Sequence, residues 1–198
     1  MRTRRVERLA FIAPLLVGCL TFGLTQAATP ARDQSQSPER YTAFAIDPNR
    51  PGLTANVDIQ INRWTTDAER EQLTTILLER GAAKMLDALK AAPRAGSFRT
   101  TGTVGFDLRY ARRTDLPDGG QRIELLTDRP IGTVEAAEQG RSLEYPFTAM
   151  DIRLNAKGEG DGKLWLATRI AADKGTKVIV MENYQIAPVQ LTAIRRLK

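Results

Sequence analysis

The chain has 198 residues, of which 42% are apolar and 26% charged, with one cysteine, no histidine and a formal net charge of +6. This balance is typical of a globular protein. Without histidine, the chain cannot build a Ser-His-Asp or Cys-His nucleophile system, or a histidine-ligated zinc, copper or haem site. We therefore predict no metal ion and no cofactor.

The first 27 residues have the three parts of a secretory signal peptide. Four arginines lie within residues 1–8, residues 9–24 carry no charge, and Thr25 and Ala27 suit cleavage after Ala27. An uncleaved anchor is less favoured, because the apolar run is short for a hydrocarbon core of about 30 Å. Residues 16–19 also match a bacterial lipobox, in which Cys19 would be lipidated. The apolar run continues past Cys19, so we favour cleavage and an exported, periplasmic or secreted protein over a lipid-anchored one.

Removal of residues 1–27 takes away four arginines and one glutamate, which leaves 25 basic and 22 acidic residues and a net charge of +3. Most of the excess positive charge therefore belongs to the leader, and we predict no nucleic-acid partner. The expected partner is a small molecule, a glycan or an envelope protein. Membrane contact is expected only through the leader or a lipid on Cys19, and the sequence assigns no oligomeric state.

The mature chain is expected to start with a linker. Residues 28–52 are predicted to be a flexible linker or N-terminal segment with a short edge strand at 41–46, and residues 53–198 to be a single domain. Val57, Ile59 and Ile61 alternate with polar residues, which predicts a strand with one buried face.

Two helices are predicted next. A capping box formed by Thr66 and Glu69 begins a helix that stops at Gly81, and Pro93 ends a second, shorter helix. The pair is interpreted as a two-helix hairpin inserted at about 67–92.

From residue 98 onward, short alternating segments are separated by turn residues, which is the pattern of an antiparallel meander. The alternation changes parity near Ala149, which predicts a β-bulge there. The predicted strands include 104–110, 123–129, 145–154, 164–170, 178–181 and 189–194, with turns at 116–120, 157–162 and 173–176 and a loop or helical turn at 132–142. The fold class is therefore α+β: mainly antiparallel β-sheet, as a sandwich or open barrel, with an inserted two-helix hairpin.

Several phrases of the sequence resemble those of exported bacterial proteins that have no assigned activity. The resemblance covers about residues 52–195 and implies an envelope or secreted location, but it carries no functional residues across. The phrases are RWTTDAER at 63–70, DLRYAR at 107–112, LPDGG at 116–120, LTDRPI at 126–131, YPFT at 145–148 and ENY at 182–184.

Four charged residues form the main candidate ligand-binding site. By parity, Asp107 and Arg109 share one face of their strand, and Asp151 and Arg153 share one face of theirs. If the two strands are neighbours, the four residues make a ladder of opposite charges. Such a patch can hold a polar ligand or supply paired carboxylates. Exposed faces of antiparallel sheets are also commonly charged without binding anything, and we favour this second interpretation.

Trp165 completes the candidate ligand-binding set. Its parity is opposite to that of Leu164 and Leu166, so it is expected on the outer face, where it could stack on a sugar or lie at a membrane surface. We favour burial beneath the helices instead, because their apolar stripe must pack against a face of the sheet.

Two further patterns are discounted. Asp128 follows Thr127 as in an aspartic protease, but Arg129 replaces the required glycine and the chain has a single such element. Residues 155–161 are rich in oxygen ligands, but their spacing differs from that of an EF-hand loop, so we predict a hairpin turn.

These patterns favour a non-enzymatic exported binding or interaction domain of the bacterial envelope, since no nucleotide or nucleophile motif is present. The alternative is a carboxylate-dependent, glycosidase-like hydrolase, because glycoside hydrolysis needs only two Asp or Glu side chains.

Overall fold

The structure, a computed structural model, describes residues 38–129, 146–173, 178–183 and 187–197. The leader with Cys19, the segment 132–142, Tyr145, Tyr184 and most of the turn at 173–176 lie outside these ranges. The elements are β1 (Glu39–Ile46), β2 (Thr54–Ile61), α1 (Asp67–Arg80), α2 (Ala82–Ala91), β3 (Gly96–Thr100), β4 (Phe106–Leu108), β5 (Tyr110–Asp115), β6 (Gln121–Leu126), β7 (Phe147–Leu154), β8 (Glu159–Asp173), β9 (Val178–Asn183) and β10 (Val189–Leu197).

The strands form one antiparallel sheet that curls into a nearly closed barrel. Its order is β4-β3-β2-β1-β10-β8-β7-β6-β5, and β9 pairs with the far end of β8. The two ends of this path, β4 and β5, are consecutive in the chain and are separated only by Arg109. The expectation of a mainly antiparallel β-sheet with two helices is therefore confirmed.

The sheet begins earlier than the sequence indicated. β1 starts at Glu39, inside the segment 28–52 that was expected to precede the domain. It is also not an edge strand, because β2 pairs with one side of it and β10 with the other. The alternation of exposed and buried residues in β1 marks a strand but cannot show that the C-terminal strand returns to pair with it.

Both helices have the predicted boundaries. Thr66 accepts a hydrogen bond from the backbone of Glu69, and the Glu69 carboxylate accepts one from the backbone of Thr66, which completes the capping box. α1 ends at Gly81 (φ 83°), in the left-handed region that favours glycine. The buried helix residues pack on the outside of the sheet, in a cluster of Leu73, Leu77, Met85, Leu89, Phe147 and Ile170.

The interior of the barrel contains a buried ionic network at one end. The Glu39 carboxylate, only 6% exposed, accepts hydrogen bonds from the Tyr41 hydroxyl (2.6 Å) and from Arg113 Nη1 (2.8 Å), and Arg196 Nη2 lies 3.2 Å away. The Arg113 guanidinium also lies 5.0 Å from the centre of the Trp64 ring. Since β1 and β5 are not neighbours in the sheet, the Glu39–Arg113 pair ties together two distant parts of the barrel.

The regular alternation predicted for 104–110 is wrong after Leu108. Val104 is fully exposed in the turn before β4, Leu108 is buried in the interior, and Ala111 is buried there as well. Tyr110 packs instead against the cluster beneath the helices, on the outer face. Arg109 therefore interrupts the strand and shifts the parity by one residue.

Other local predictions are confirmed in part. The register of β7 against β8 shifts between Phe147 and Ala149, close to the expected bulge, but the extra residue lies in β8 between Trp165 and Thr168, and the predicted change of parity within β7 is wrong. Gly119 (φ 79°) lies in the β5–β6 turn, and Asn155 closes the β7–β8 turn by accepting hydrogen bonds from the backbones of Lys157 and Glu159.

The buried network should dominate stability at its end of the barrel. We expect Arg113→Met to lower the free energy of unfolding by about 3 kcal/mol, because it leaves the buried Glu39 carboxylate short of a partner. The measurement is urea denaturation at neutral pH. Asp87→Asn, which breaks an exposed pair with Lys84, is the control and should cost no more than about 1 kcal/mol. Equal, small losses in both variants would contradict the assignment.

Candidate functional site

The outer face of strands β5, β6, β7 and β8 carries three rows of side chains in register. Ile123 and Leu125 of β6 are buried in the interior, so the residues that alternate with them face outward. The rows run across the four strands as Tyr110–Leu126–Ala149–Trp165, Arg112–Glu124–Asp151–Lys163 and Thr114–Arg122–Arg153–Asp161.

The first row is apolar or aromatic and borders the helices. Tyr110 and Leu126 pack against the helix cluster. The second row, which we call the charged row, is Arg112–Glu124–Asp151–Lys163, and it places two acids side by side between two cations. The candidate site is this row together with its immediate neighbours.

Glu124 and Asp151 lie directly opposite each other on β6 and β7. Like charges in this position repel, since directly opposite Cβ atoms are about 5 Å apart. Arg122 reduces the repulsion by binding both oxygens of Asp151, through Nε (2.8 Å) and Nη2 (2.9 Å). Of the two acids, Asp151 is therefore the one that is ion-paired with Arg122 through both oxygens.

Glu124 is less well satisfied. Arg122 Nη2 lies 3.4 Å from Glu124 Oε1, but the contact lacks the geometry of a hydrogen bond, and this oxygen is buried without a hydrogen-bond partner. Burial raises the pKa of Glu124, and the charge of Asp151 raises it further, while Arg122, Arg112 and Arg70 act in the opposite direction; the net shift is upward.

Helix α1 contributes Arg70 to the edge of the site. Its charge lowers the pKa of Glu124 and of Tyr110. Arg70 Nε is buried without a hydrogen-bond partner, since the Asp67 oxygen is 3.6 Å away. Burial, followed by the charge of Glu124, raises the pKa of Tyr110 to about 12, although Arg112 opposes this shift through a hydrogen bond.

The structure separates the four charged residues that the sequence analysis grouped. Asp151 and Arg153 lie in the second and third rows of the outer face. Asp107 lies at the other end of the sheet path, because β4 pairs with β3 and not with β7, and Arg109 lies in the interruption between β4 and β5. The predicted ladder of four residues therefore does not form.

Asp107 and Arg109 have contacts that fasten the end of α2 to the sheet. Arg109 Nε lies 3.2 Å from Asp128, and its Nη1 donates to the carbonyl of Ala92 just after α2. Asp107 lies 2.8 Å from Arg94 Nε and 3.8 Å from Arg109 Nη2. These contacts bind the helix end and the interrupted strand to each other.

Trp165 faces outward, as its parity indicated, but it is only 4% exposed. Its ring is therefore not presented to solvent.

Asp128 accepts a hydrogen bond from Arg109. Across the described parts of the chain, no group of three or more acidic, histidine or cysteine side chains is placed to hold a metal ion.

Comparisons of the chain with protein-family models, with curated proteins and with solved structures find no match in any of the three. Neither α1 nor α2, the helices of the described residues, has the length and apolar character needed to cross a bilayer. The chemistry of the charged row has to be inferred from its own residues.

Sequence reasoning missed Glu124, Arg122, Arg112 and Arg70. The first three alternate with the buried residues of β5 and β6, so strand parity places them on a polar face. Nothing in the sequence shows that β6 lies between β5 and β7, or that α1 brings Arg70 to this face.

Replacing Glu124 should change how stability depends on pH. An acid whose pKa is raised in the folded state keeps its proton after the unfolded chain has lost it, so wild-type stability falls as the pH rises above the ordinary value of 4.5. We expect Glu124→Gln to remove this loss, so the free energy of unfolding of the variant minus that of wild type increases from pH 4 to pH 8.

Urea denaturation at a series of pH values measures this difference. Glu79→Gln, at an exposed position of α1, reports the effect of removing one negative charge elsewhere. A trend for Glu124→Gln that is no larger than that of Glu79→Gln, or that has the opposite sign, would contradict the prediction.

Proposed function

We propose that the protein is an exported binding domain of the bacterial envelope and that the charged row is its ligand-binding site. The observation that carries the proposal is the buried, unbonded oxygen of Glu124, which lies between cations from β5, β6 and α1. An oxygen left without a partner costs folding free energy, about 1–3 kcal/mol, unless something binds it. A ligand that donates a hydrogen bond to Glu124 would recover that loss.

Export is supported by the leader and by the resemblance to exported bacterial proteins. The sequence of residues 1–27 has the charge, apolar length and small terminal residues that signal peptidases recognise. We propose cleavage after Ala27, with lipidation of Cys19 as the alternative.

Intact-mass measurement of the protein after expression in a bacterial host tests the processing. We expect a single species that begins at Ala28, and the same species from Cys19→Ser, because removal of the thiol blocks lipidation alone. A heavier, membrane-bound form that is lost in Cys19→Ser would establish lipidation instead. Full-length protein retained in the cytosol would overturn export.

A second function, glycoside hydrolysis, is favoured by one feature of the same site. Glu124 and Asp151 are opposed carboxyl groups, and the raised pKa of Glu124 suits a general acid. Paired glycosidase carboxyls are about 5–10 Å apart, which is compatible with directly opposite positions on neighbouring strands. Against this function, Arg122 holds both oxygens of Asp151, so that carboxylate is poorly placed to attack a sugar or a water.

Thermal denaturation of the full chain with lipids, glycans and peptidoglycan fragments distinguishes the two. We expect one ligand class to raise the melting temperature by several degrees, since about 100-fold saturation adds about 2.7 kcal/mol of stability. Glu124→Gln should weaken that ligand about tenfold or more, and Glu79→Gln should not.

The same glycans are analysed for reducing ends released over time. Cleavage that is lost in both Glu124→Gln and Asp151→Asn would establish the hydrolase. Absence of stabilisation by every ligand, or stabilisation unaffected by Glu124→Gln, would overturn the binding site.

A further inference from the structure

We infer that the protein binds the surface of a lipid bilayer through an apolar patch at one end of strands β1, β2 and β3. The patch consists of Phe44, Ile46, Leu53 and Val104. It shares no residue with the charged row, so the inference goes beyond the proposed ligand site and is tested independently of it. Contact with a membrane would then not be limited to the leader or to a lipid on Cys19.

The patch contains most of the exposed apolar side chains of the described structure. Five large apolar side chains are exposed in the described ranges, and four of them belong to the patch. Phe44 and Ile46 lie on the outer face of β1. Leu53 and Val104 lie in the turns before β2 and β4. Single exposed apolar residues are ordinary on a protein surface, whereas a cluster bordered by polar residues marks a site of contact with a protein or a membrane.

Strand pairing brings the four side chains to the same place. Ile46 lies opposite the first residue of β2, which directly follows Leu53. The backbone N–H of Thr101 donates to the carbonyl of Asn56 (3.2 Å), so the turn that carries Val104 begins beside β2. Because neighbouring antiparallel strands run in opposite directions, the turns that follow β1 and β3 lie at the same end of the sheet.

The patch and its immediate neighbours carry no charge. Phe44 and Ile46 each lie between polar, uncharged residues of β2 and β10, which are Asn56, Thr54, Thr192 and Gln190. The turn that carries Val104 has no charged residue between Thr101 and Gly105. Entry of the patch into the headgroup region of a bilayer therefore removes no charge from water.

The charges at the border of the patch are largely neutralised. Arg50 Nε lies 2.8 Å from Asp47, and Arg99 Nε lies 3.1 Å from Asp58. Lys163 lies further away, on β8, two strands from β1. Attraction to anionic lipids is therefore weak, and we expect the burial of apolar surface to drive the contact.

The size of the patch favours a bilayer over a second copy of the chain. Three of its side chains are between 40% and 45% exposed and Val104 is fully exposed, so it offers at most about 450 Å² if a large side chain offers about 200 Å². A stable dimer buries about 800 Å² per partner. A bilayer surface accepts a few apolar side chains in proportion to their area. Three of the four are aliphatic, which suits acyl chains better than sugar rings, since sugars stack on aromatic side chains.

Sedimentation with phosphatidylcholine vesicles tests the inference on the exported protein recovered from the bacterial host. We expect wild type to bind these neutral vesicles, with affinity changed less than twofold by high salt or by added phosphatidylglycerol. Leu53→Asp and Val104→Asp should each weaken binding about tenfold or more. Leu197→Asp is the matched control, because Leu197 is 47% exposed against 45% for Leu53 but lies opposite Arg40, at the other end of β1. It should bind like wild type, as should Glu124→Gln.

A fluorescent label reports insertion of the patch itself, even if a retained leader also holds the protein on vesicles. Cys19→Ser removes the single cysteine of the chain, so Val104→Cys in that background carries one environment-sensitive label. Its emission should increase and shift to the blue when vesicles are added. The same label at Lys157→Cys, exposed in the turn after β7, should not respond. Unchanged melting temperatures would show that the exposed substitutions leave the fold intact.

No response of the Val104 label, or an equal response at Lys157, would overturn the inference. So would binding that requires phosphatidylglycerol and disappears in high salt, because charge would then be the cause. Self-association of wild type without lipid that is lost in Leu53→Asp would assign the patch to a second copy. Stabilisation by a glycan that is lost in Leu53→Asp would assign it to a sugar. Either result excludes the bilayer as the partner and leaves the charged row untouched.

Discussion

The interruption of the strand at Arg109 is the constraint on which the rest of the structure depends. Up to Leu108 the strand pairs with β3, at one end of the sheet, and from Tyr110 it pairs with β6, at the other end. This change of partner is what brings the two ends of the sheet together. Because alternate residues point to opposite faces, the one-residue shift also places Arg112 outside and Arg113 inside. Without this shift, Arg112 would face the interior and Arg113 the outer face, so the ionic network would lose Arg113 and the charged row would lose Arg112.

The residues that hold this interruption are charged, and their charge has a structural purpose. The backbone of Arg109 donates to the carbonyl of Leu126, while its side chain binds Asp128 and the carbonyl that follows α2. A regular strand residue could not make these contacts from the same position. The pair Asp107 and Arg109, which looks like a ligand site in the sequence, is thus accounted for by the joining of helix, strand and sheet end.

Local features of this fold are predictable from sequence, whereas its long-range pairing is not. The capping box of Thr66 and Glu69 and the stop at Gly81 each depend on neighbours in the chain, and both are confirmed. The central position of β1 depends on β10, more than a hundred residues away, and sequence alternation contains no record of that partner. The site combines both cases: parity predicts that Asp151 faces outward, but only the register places it beside Glu124.

Glu39 and Glu124, two acids with little exposed surface, show how differently charge can be treated within one fold. Glu39, in the interior, is bonded by Tyr41 and Arg113 and lies beside Arg196, as a buried carboxylate requires. Three arginines lower the pKa of Glu124, on the outer face, and yet one of its oxygens stays unbonded. A shortage of donors does not explain this difference, since arginines are near both. The unbonded oxygen of Glu124 is itself buried, so leaving it without a donor costs folding free energy that the arrangement of Glu39 avoids. Stability alone favours the arrangement of Glu39, and the proposed binding function would account for the arrangement of Glu124, since a donor bound to its free oxygen would recover the lost free energy.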